Sequence, residues 1–223
     1  MTAAGLGRRD DLLLALSERV APRHTVLLVV DMQNDFCGAG GFIERVIKKD
    51  AGACRRVAEP IDRLVAVARA TGVPVLWLRA NYEPSGLPEN MRARLVEHGI
   101  SDGCCIPGTW GYDWYGPRPA PNERIIEKRC YDGFVGTSLD AECRALGVRT
   151  ILLSGVQTNV CVEATLRHAH ALGYYCVVAE DCVASHTAAA HEATLAAIRS
   201  LLGDVVPLAE VARLWGDVNA VAS

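Results

Sequence analysis

The 223-residue sequence predicts an α/β fold, a parallel sheet with helices on both faces, in one domain covering residues 1–223. Three features lead there. Short aliphatic and β-branched runs alternate along the chain with segments of helical periodicity, and the first such run, Thr25–Val30, is continuous, as in a strand covered on both faces. Alternation of this kind closes through right-handed crossovers into a parallel sheet. Half of the residues are apolar, which suffices for one large core.

Residues 1–23 read as an N-terminal helical extension, and Thr25–Val30 is the first strand, ending at Asp31. Ile61, Leu64, Val65 and Ala68 recur at helical spacing, and Gly72 with Pro74 stops that helix before the second strand, Val75–Leu78. Residues 81–123, rich in Gly, Pro and aromatics, read as a lid-like insertion, because so long a loop seldom persists without a function. Arg124–Lys128 is a third strand, Ser138–Leu146 a helix ended by Gly147, and Thr150–Leu153 a buried fourth strand. Gly155–Asn159 turns sharply into a helix over about Val160–Leu172, followed by a fifth strand at Tyr175–Ala179. A helix over Ala188–Leu202, a short strand near Val205 and a terminal helix complete the pattern.

The balance of charge narrows the partners. Twenty-three Lys and Arg against twenty-six Asp and Glu give a net charge of -3, with no long run of either sign to hold nucleic acid or a membrane surface. A small-molecule substrate is expected instead. The longest aliphatic run, Val26–Val30, is far below the roughly 20 residues a membrane span takes. Asp10 and Asp11 stand where a secretory signal would be basic, so a cytoplasmic location is expected. The nine cysteines have no regular spacing and read as reduced thiols.

Ligands of open α/β sheets bind at the carboxyl ends of the strands. Asp31 closes the first strand, Lys128 closes the third, and Cys161 falls in the first turn of the helix after the fourth. A helix N-terminus and a neighbouring lysine both favour the thiolate, which makes Cys161 the candidate nucleophile. An aspartate can take the thiol proton and pass it to a leaving nitrogen. Singly, each residue has an ordinary reading: a small buried hydrophobe, a strand-end turn residue, a solvated charge. Their joint placement carries the expectation.

Three strings carry a resemblance. Val29-Val30-Asp31-Met32-Gln33-Asn34-Asp35-Phe36, then Glu127-Lys128-Arg129, then Gly155-Val156-Gln157-Thr158-Asn159-Val160-Cys161-Val162 resemble, in order and spacing, the signatures of the isochorismatase-like cysteine hydrolases. The likeness runs from about Thr25 to His186. It implies a three-layer α-β-α fold with a six-stranded parallel sheet, and a catalytic triad of Asp31, Lys128 and Cys161. It implies further a cis peptide between Val156 and Gln157, with the N–H groups of Gln157 and Cys161 as an oxyanion hole. Homo-oligomers, dimers or tetramers, are also implied.

Within that family the vinyl ether hydrolases lack the nucleophilic cysteine, which this chain has. Nicotinamidase relatives hold a metal with histidines after the second strand, whereas this segment reads Ala80-Asn81-Tyr82-Glu83-Pro84. His168 and His170 are two apart on a predicted helix and face different directions. No metal and no cofactor are expected. Gly108-Thr109-Trp110 and the run Asn159–Arg167 resemble the biuret hydrolase and ureidoacrylate amidohydrolase branch, with Asp132 and Gln157 as departures where relatives carry serine and threonine or alanine. The expected activity is cleavage of a C–N bond in a small ureide or amide of the biuret, triuret or ureidoacrylate type, through a thioester. The alternatives are a vinyl ether or ester hydrolase, another amidase acting on N-carbamoylsarcosine, maleamate or nicotinamide, and a catalytically idle binding protein. Phe36, Tyr82, Trp110, Arg129 and Gln157 are the candidate substrate contacts. Trp110, Tyr112, Trp114 and Tyr115 form either a lid or a packing or subunit contact.

Overall fold

The computed structural model describes residues 12–216. Six strands, β1 (Thr25–Val30), β2 (Val75–Ala80), β3 (Arg124–Lys128), β4 (Thr150–Val156), β5 (Tyr175–Ala184) and β6 (Gly203–Val206), form one sheet in the order β3-β2-β1-β4-β5-β6. Every pairing is parallel. The all-parallel expectation follows from the crossovers, each of which carries a helix back over the sheet.

Strand periodicity divides the core into two layers. Leu27 and Val29 of β1 join one apolar cluster, while Val26, Leu28 and Val30 join the other, as alternate residues of a strand must. Helix α1 (Ala58–Ala70) buries Ile61, Leu64, Val65 and Ala68 on the first face. Helix α6 (Leu208–Leu214) adds Val211 and Ala212 there. On the second face lie α3 (Leu139–Ala145), α4 (Glu163–Ala171) and α5 (Ala188–Ala197), through Leu139, Leu166 and Leu195. The three-layer α-β-α fold with a six-stranded parallel sheet is therefore the observed one.

Four segments differ from expectation. Residues 81–123 are not a plain loop: Glu89–Glu97 is a nine-residue helix, α2, flanked by short 3-10 turns at Pro84–Gly86 and Trp110–Tyr112. Its mostly polar surface hid it. Within the expected N-terminal helix, residues 1–11 lie outside the described residues, and the remainder holds a single α-turn, Leu16–Arg19, and a 3-10 turn, Pro22–His24. Strand β5 continues to Ala184 because an irregularity shifts its register against β4 between Leu153 and Gly155, so Val183 and Ala184 pair again. The expected helix at Val160 begins instead as a π-turn, Thr158–Val162.

Candidate active site

The strand order reverses direction between β1 and β4, so the crossovers leave to opposite faces and open a crevice at the carboxyl ends. Asp31, Lys128 and Cys161 meet there. Lys128 Nζ is 2.8 Å from Asp31 Oδ2, and neither side chain has any solvent exposure. The ammonium also donates to the Tyr82 hydroxyl at 2.9 Å and to the Cys130 carbonyl at 3.0 Å. Two of the three ammonium protons are thus donated in hydrogen bonds, and the ion pair with Asp31 holds the charge in place. The Tyr82 hydroxyl lies 3.5 Å from Cys161 Sγ and 3.3 Å from the Cys130 carbonyl oxygen.

Asp31 is held unusually. Its backbone sits at φ 51°, a region non-glycine residues seldom adopt unless the surroundings impose it. Its carboxylate meets Lys128 as an ion pair, yet neither oxygen receives a well-aligned hydrogen bond. Lone pairs are thus left to accept a proton. The residues after it explain how the turn is fixed. Gln33 pairs through its side-chain amide with both peptide groups of Ala80, Nε2 to O at 3.0 Å and Oε1 from N at 2.8 Å, and so extends the ladder beyond β2. Asn34 Nδ2 donates to the Trp110 carbonyl at 2.8 Å, and Asp35 accepts from the N–H groups of Phe42 at 3.1 Å and Cys105 at 2.6 Å. The Gln33-Asn34-Asp35 run anchors the 81–123 segment to the end of β1.

Burial governs the electrostatics. It raises the Asp31 carboxyl against the downward pull of Lys128. It also works against the Lys128 charge, but Asp31 and then Cys161 outweigh it and the ammonium is raised above its ordinary value. The Cys161 thiol is pushed up to about 12 by burial, with Lys128 lowering it and Asp31 raising it further. Burial therefore opposes the lowering expected of a helix N-terminus. Burial removes the solvation a thiolate needs, and in the π-turn the N–H groups of Val160 and Val162 donate to the Gln157 carbonyl at 3.0 and 3.2 Å. A thiol raised in this way calls for a base to make it a nucleophile.

The peptide bond between Val156 and Gln157 is cis. Gly155, at φ 111°, makes room for it: a Cβ there would lie 2.1 Å from the Val30 carbonyl oxygen. Gln157 Oε1 accepts from the His186 N–H at 2.9 Å and from His186 Nδ1 at 3.0 Å, while Nε2 is buried without a partner.

A cavity of about 220 Å³ opens beside Cys161. Of the expected contacts, Phe36, Tyr82 and Gln157 line it. Trp110 and Arg129 do not. Trp110 is 53% exposed and packs its ring beside Gly38, held outward by the Asn34 bond to its carbonyl. Arg129 crosses over Gly86 and lies 3.5 Å from Glu127. The aromatic run 110–115 is likewise no cover for the cavity: Trp114 packs edge-on to Trp77, and the Arg79 guanidinium stacks 3.5 Å over Tyr112. Asp132 bonds His168 Nδ1 at 2.6 Å and the Phe134 N–H at 2.8 Å, and it too lies off the cavity wall.

Sequence reasoning missed Tyr131, His186 and the α2 face in that wall. Leu87, Met91 and Leu95 stand four residues apart, a helical signal that the surrounding polar residues obscured. Among the described residues, Asp35, Cys104 and Cys105 lie close enough together to share an ion, but Asp35 already receives two peptide N–H groups.

Comparison with known proteins agrees with this architecture. The isochorismatase domain model matches residues 25–210. Ureidoacrylate amidohydrolase RutB of Methylorubrum extorquens is 34% identical over 201 residues, covering 83% of this chain and 80% of the relative. The protein of the same name from an Enterobacter strain is 34% identical over 209 residues, covering 85% and 88%. The crystal structure of a cysteine hydrolase from Pseudomonas syringae pv. phaseolicola superimposes with a TM-score of 0.76 at 28% identity, over 88% of this chain and 94% of that one. The matched length, the six-stranded parallel sheet and the relatives together place this chain in the isochorismatase family of hydrolases.

Proposed function

We propose that the chain is a cysteine-dependent amidohydrolase that cleaves a C–N bond of a small linear amide or ureide through a thioester. The observation that carries this reading is the buried group of Asp31, Lys128, Tyr82 and Cys161, linked in that order by contacts of 2.8, 2.9 and 3.5 Å, with Tyr82 and Cys161 in the wall of a small cavity. The relatives named as ureidoacrylate amidohydrolases support the bond type.

Asp31 takes the Cys161 proton as Sγ attacks the substrate carbonyl carbon. Lys128 keeps its charge throughout, so a thiolate can form opposite it in a buried site. The N–H groups of Gln157 and Cys161 receive the developing oxyanion, each contributing about 3 to 4 kcal/mol in sites of this kind. The C–N bond breaks, and Asp31 returns its proton to the departing nitrogen. Water, deprotonated by Asp31, then attacks the thioester, frees the carboxylic or carbamic acid and restores the thiol. Tyr82 holds Lys128 from the far side and faces the sulfur, so it belongs to the reacting group.

Two further proposals accompany this one. Assembly into dimers or tetramers is supported by apolar side chains left exposed, among them Val135 and, in the cavity wall, Tyr131. A cytoplasmic location is supported by the nine unbridged thiols; no helix of the described residues is long and apolar enough to cross a membrane.

Ammonia release from a panel of amides and ureides tests the function. Turnover of the best substrate is expected to fall at least about a thousandfold in Cys161→Ala. Undiminished turnover in that variant removes the covalent scheme.

A further inference from the structure

The cavity beside Cys161 is walled mainly by hydrocarbon. Phe42, Ile43 and Ile47 line one side, and Leu87, Met91 and Leu95, successive along one face of α2 and the turn before it, line another. The charges at its rim are engaged elsewhere, Arg94 with Glu97 at 3.0 Å and Asp102 with Arg45, on side chains 72% and 46% exposed. A substrate carboxylate would meet no unpaired cation in this wall.

Apart from the reacting group, the polar side chains in the wall are Gln157, His186 and Tyr131, the last 47% exposed. The peptide N–H of His186 can only donate, so the Gln157 atom 2.9 Å away is the amide oxygen, and the amide nitrogen is the free end. That oxygen can only accept, so His186 Nδ1, 3.0 Å from it, carries a proton and Nε2 keeps its lone pair. Burial, with the Lys49 charge, lowers the His186 pKa and so favours the neutral ring. Gln157 Nε2 is buried without a partner, a state rare enough in folded proteins to call for one. The wall therefore sets the side chains of Gln157 and His186 into a largely apolar surface.

We propose that the substrate is an uncharged primary amide or ureide bearing a hydrocarbon substituent. Its amide group meets Gln157 Nε2 as donor and His186 Nε2 as acceptor, and its substituent lies against Ile43, Ile47, Met91 and Leu95. The reaction is R–CO–NH2 + H2O → R–COOH + NH3: the Cys161 S–C bond forms as the C–N bond breaks, and water then cleaves the S–C bond. The inference rests on the amidohydrolase reading above and narrows its substrate class. Biuret and triuret, whose surfaces are nearly all donor and acceptor, would leave polar groups unpaired against hydrocarbon. At about 220 Å³ the space suits a short substituent, not a long chain.

The test is ammonia release by the full chain from acetamide, butyramide, hexanamide, butylurea, biuret and ureidoacrylate. The expected result is a rise in kcat/KM of about fourfold per added methylene from acetamide until the cavity is filled. Biuret and ureidoacrylate are expected at least tenfold below the best alkyl substrate. In Leu95→Ala, a half-buried position, the chain-length dependence flattens, with hexanamide losing more than acetamide. Preference for biuret or ureidoacrylate, or no dependence on chain length, overturns the inference and leaves the amidohydrolase reading standing. Ammonia from none of the six removes both.

Discussion

A buried thiol with its pKa near 12 and a carboxylate beside it behave as a pair, and the two are separable by experiment. The negative charge of Asp31 raises the Cys161 pKa, so Asp31→Asn lowers it and enlarges the thiolate fraction at any fixed pH. Alkylation of Cys161 by iodoacetamide, followed by mass spectrometry of its peptide at pH 8, is expected to speed up while turnover collapses for want of the base. Parallel loss of both would show that Asp31 only maintains the fold. Tyr82→Phe keeps the ring that lines the cavity but removes the hydroxyl that accepts from Lys128 and faces the sulfur. A hydrogen bond to a charged group contributes about 1.5 to 3 kcal/mol, so kcat/KM should fall about ten- to a hundredfold. Because that hydroxyl also lowers the thiol pKa, Cys161 should alkylate more slowly in this variant, a response that mere loss of packing would not produce. Asp31, Lys128 and Cys161 were legible in the sequence because each sits at a strand end or in the turn after one. The state of the thiol was not, since burial depends on what covers it.

The element that brings the site together is the end of β4. Gly155 pairs with Val30 across the β1–β4 ladder, and its φ of 111° carries the chain into the turn that bears Gln157 and Cys161. Gly155→Ala would set a Cβ 2.1 Å from the Val30 carbonyl oxygen, on backbone that cannot move without breaking the ladder. A cost of about 3 kcal/mol or more is expected, which lowers the thermal midpoint by roughly 10 °C for a chain of this length. A circular-dichroism melt within 2 °C of the parent would refute this account of the turn. Helix α2 shows the opposite case. Its nine residues bury none of their side chains fully, so no continuous apolar stripe announces it, yet Met91 and Leu95 help form the cavity wall. Trp110 illustrates the same gap between composition and placement: aromatic character suggested a contact, and the anchoring bond from Asn34 turns the residue outward.

At the scale of the molecule, distant segments close the fold around the sheet. Trp215 is buried after α6, and its indole N–H donates to the Val20 carbonyl at 2.6 Å across 195 positions. It packs in the same apolar layer as Val20 and α1. Trp215→Ala removes that contact and leaves a cavity at about 3 to 5 kcal/mol, read as a fall in the urea midpoint with turnover at low denaturant retained. An unchanged midpoint would mean that the contact between Trp215 and Val20 does not support the core. The site itself is a property of this scale, because Lys128 reaches Asp31 from two strands away, past β2.

Alternation of strands and helices, and with it the parallel three-layer fold, is written in the order of residues along the chain. Period and residue type along the chain are local quantities. That order also places Asp31, Lys128 and Cys161 at carboxyl ends, since the position of a residue relative to its own strand is local too. Which residues wall the cavity, that Asp132 serves His168, and that Gln157 ends in an unpartnered donor follow from the packing of the folded chain. Those outcomes turn on contacts between segments far apart in the chain, whose burial and orientation no local pattern encodes.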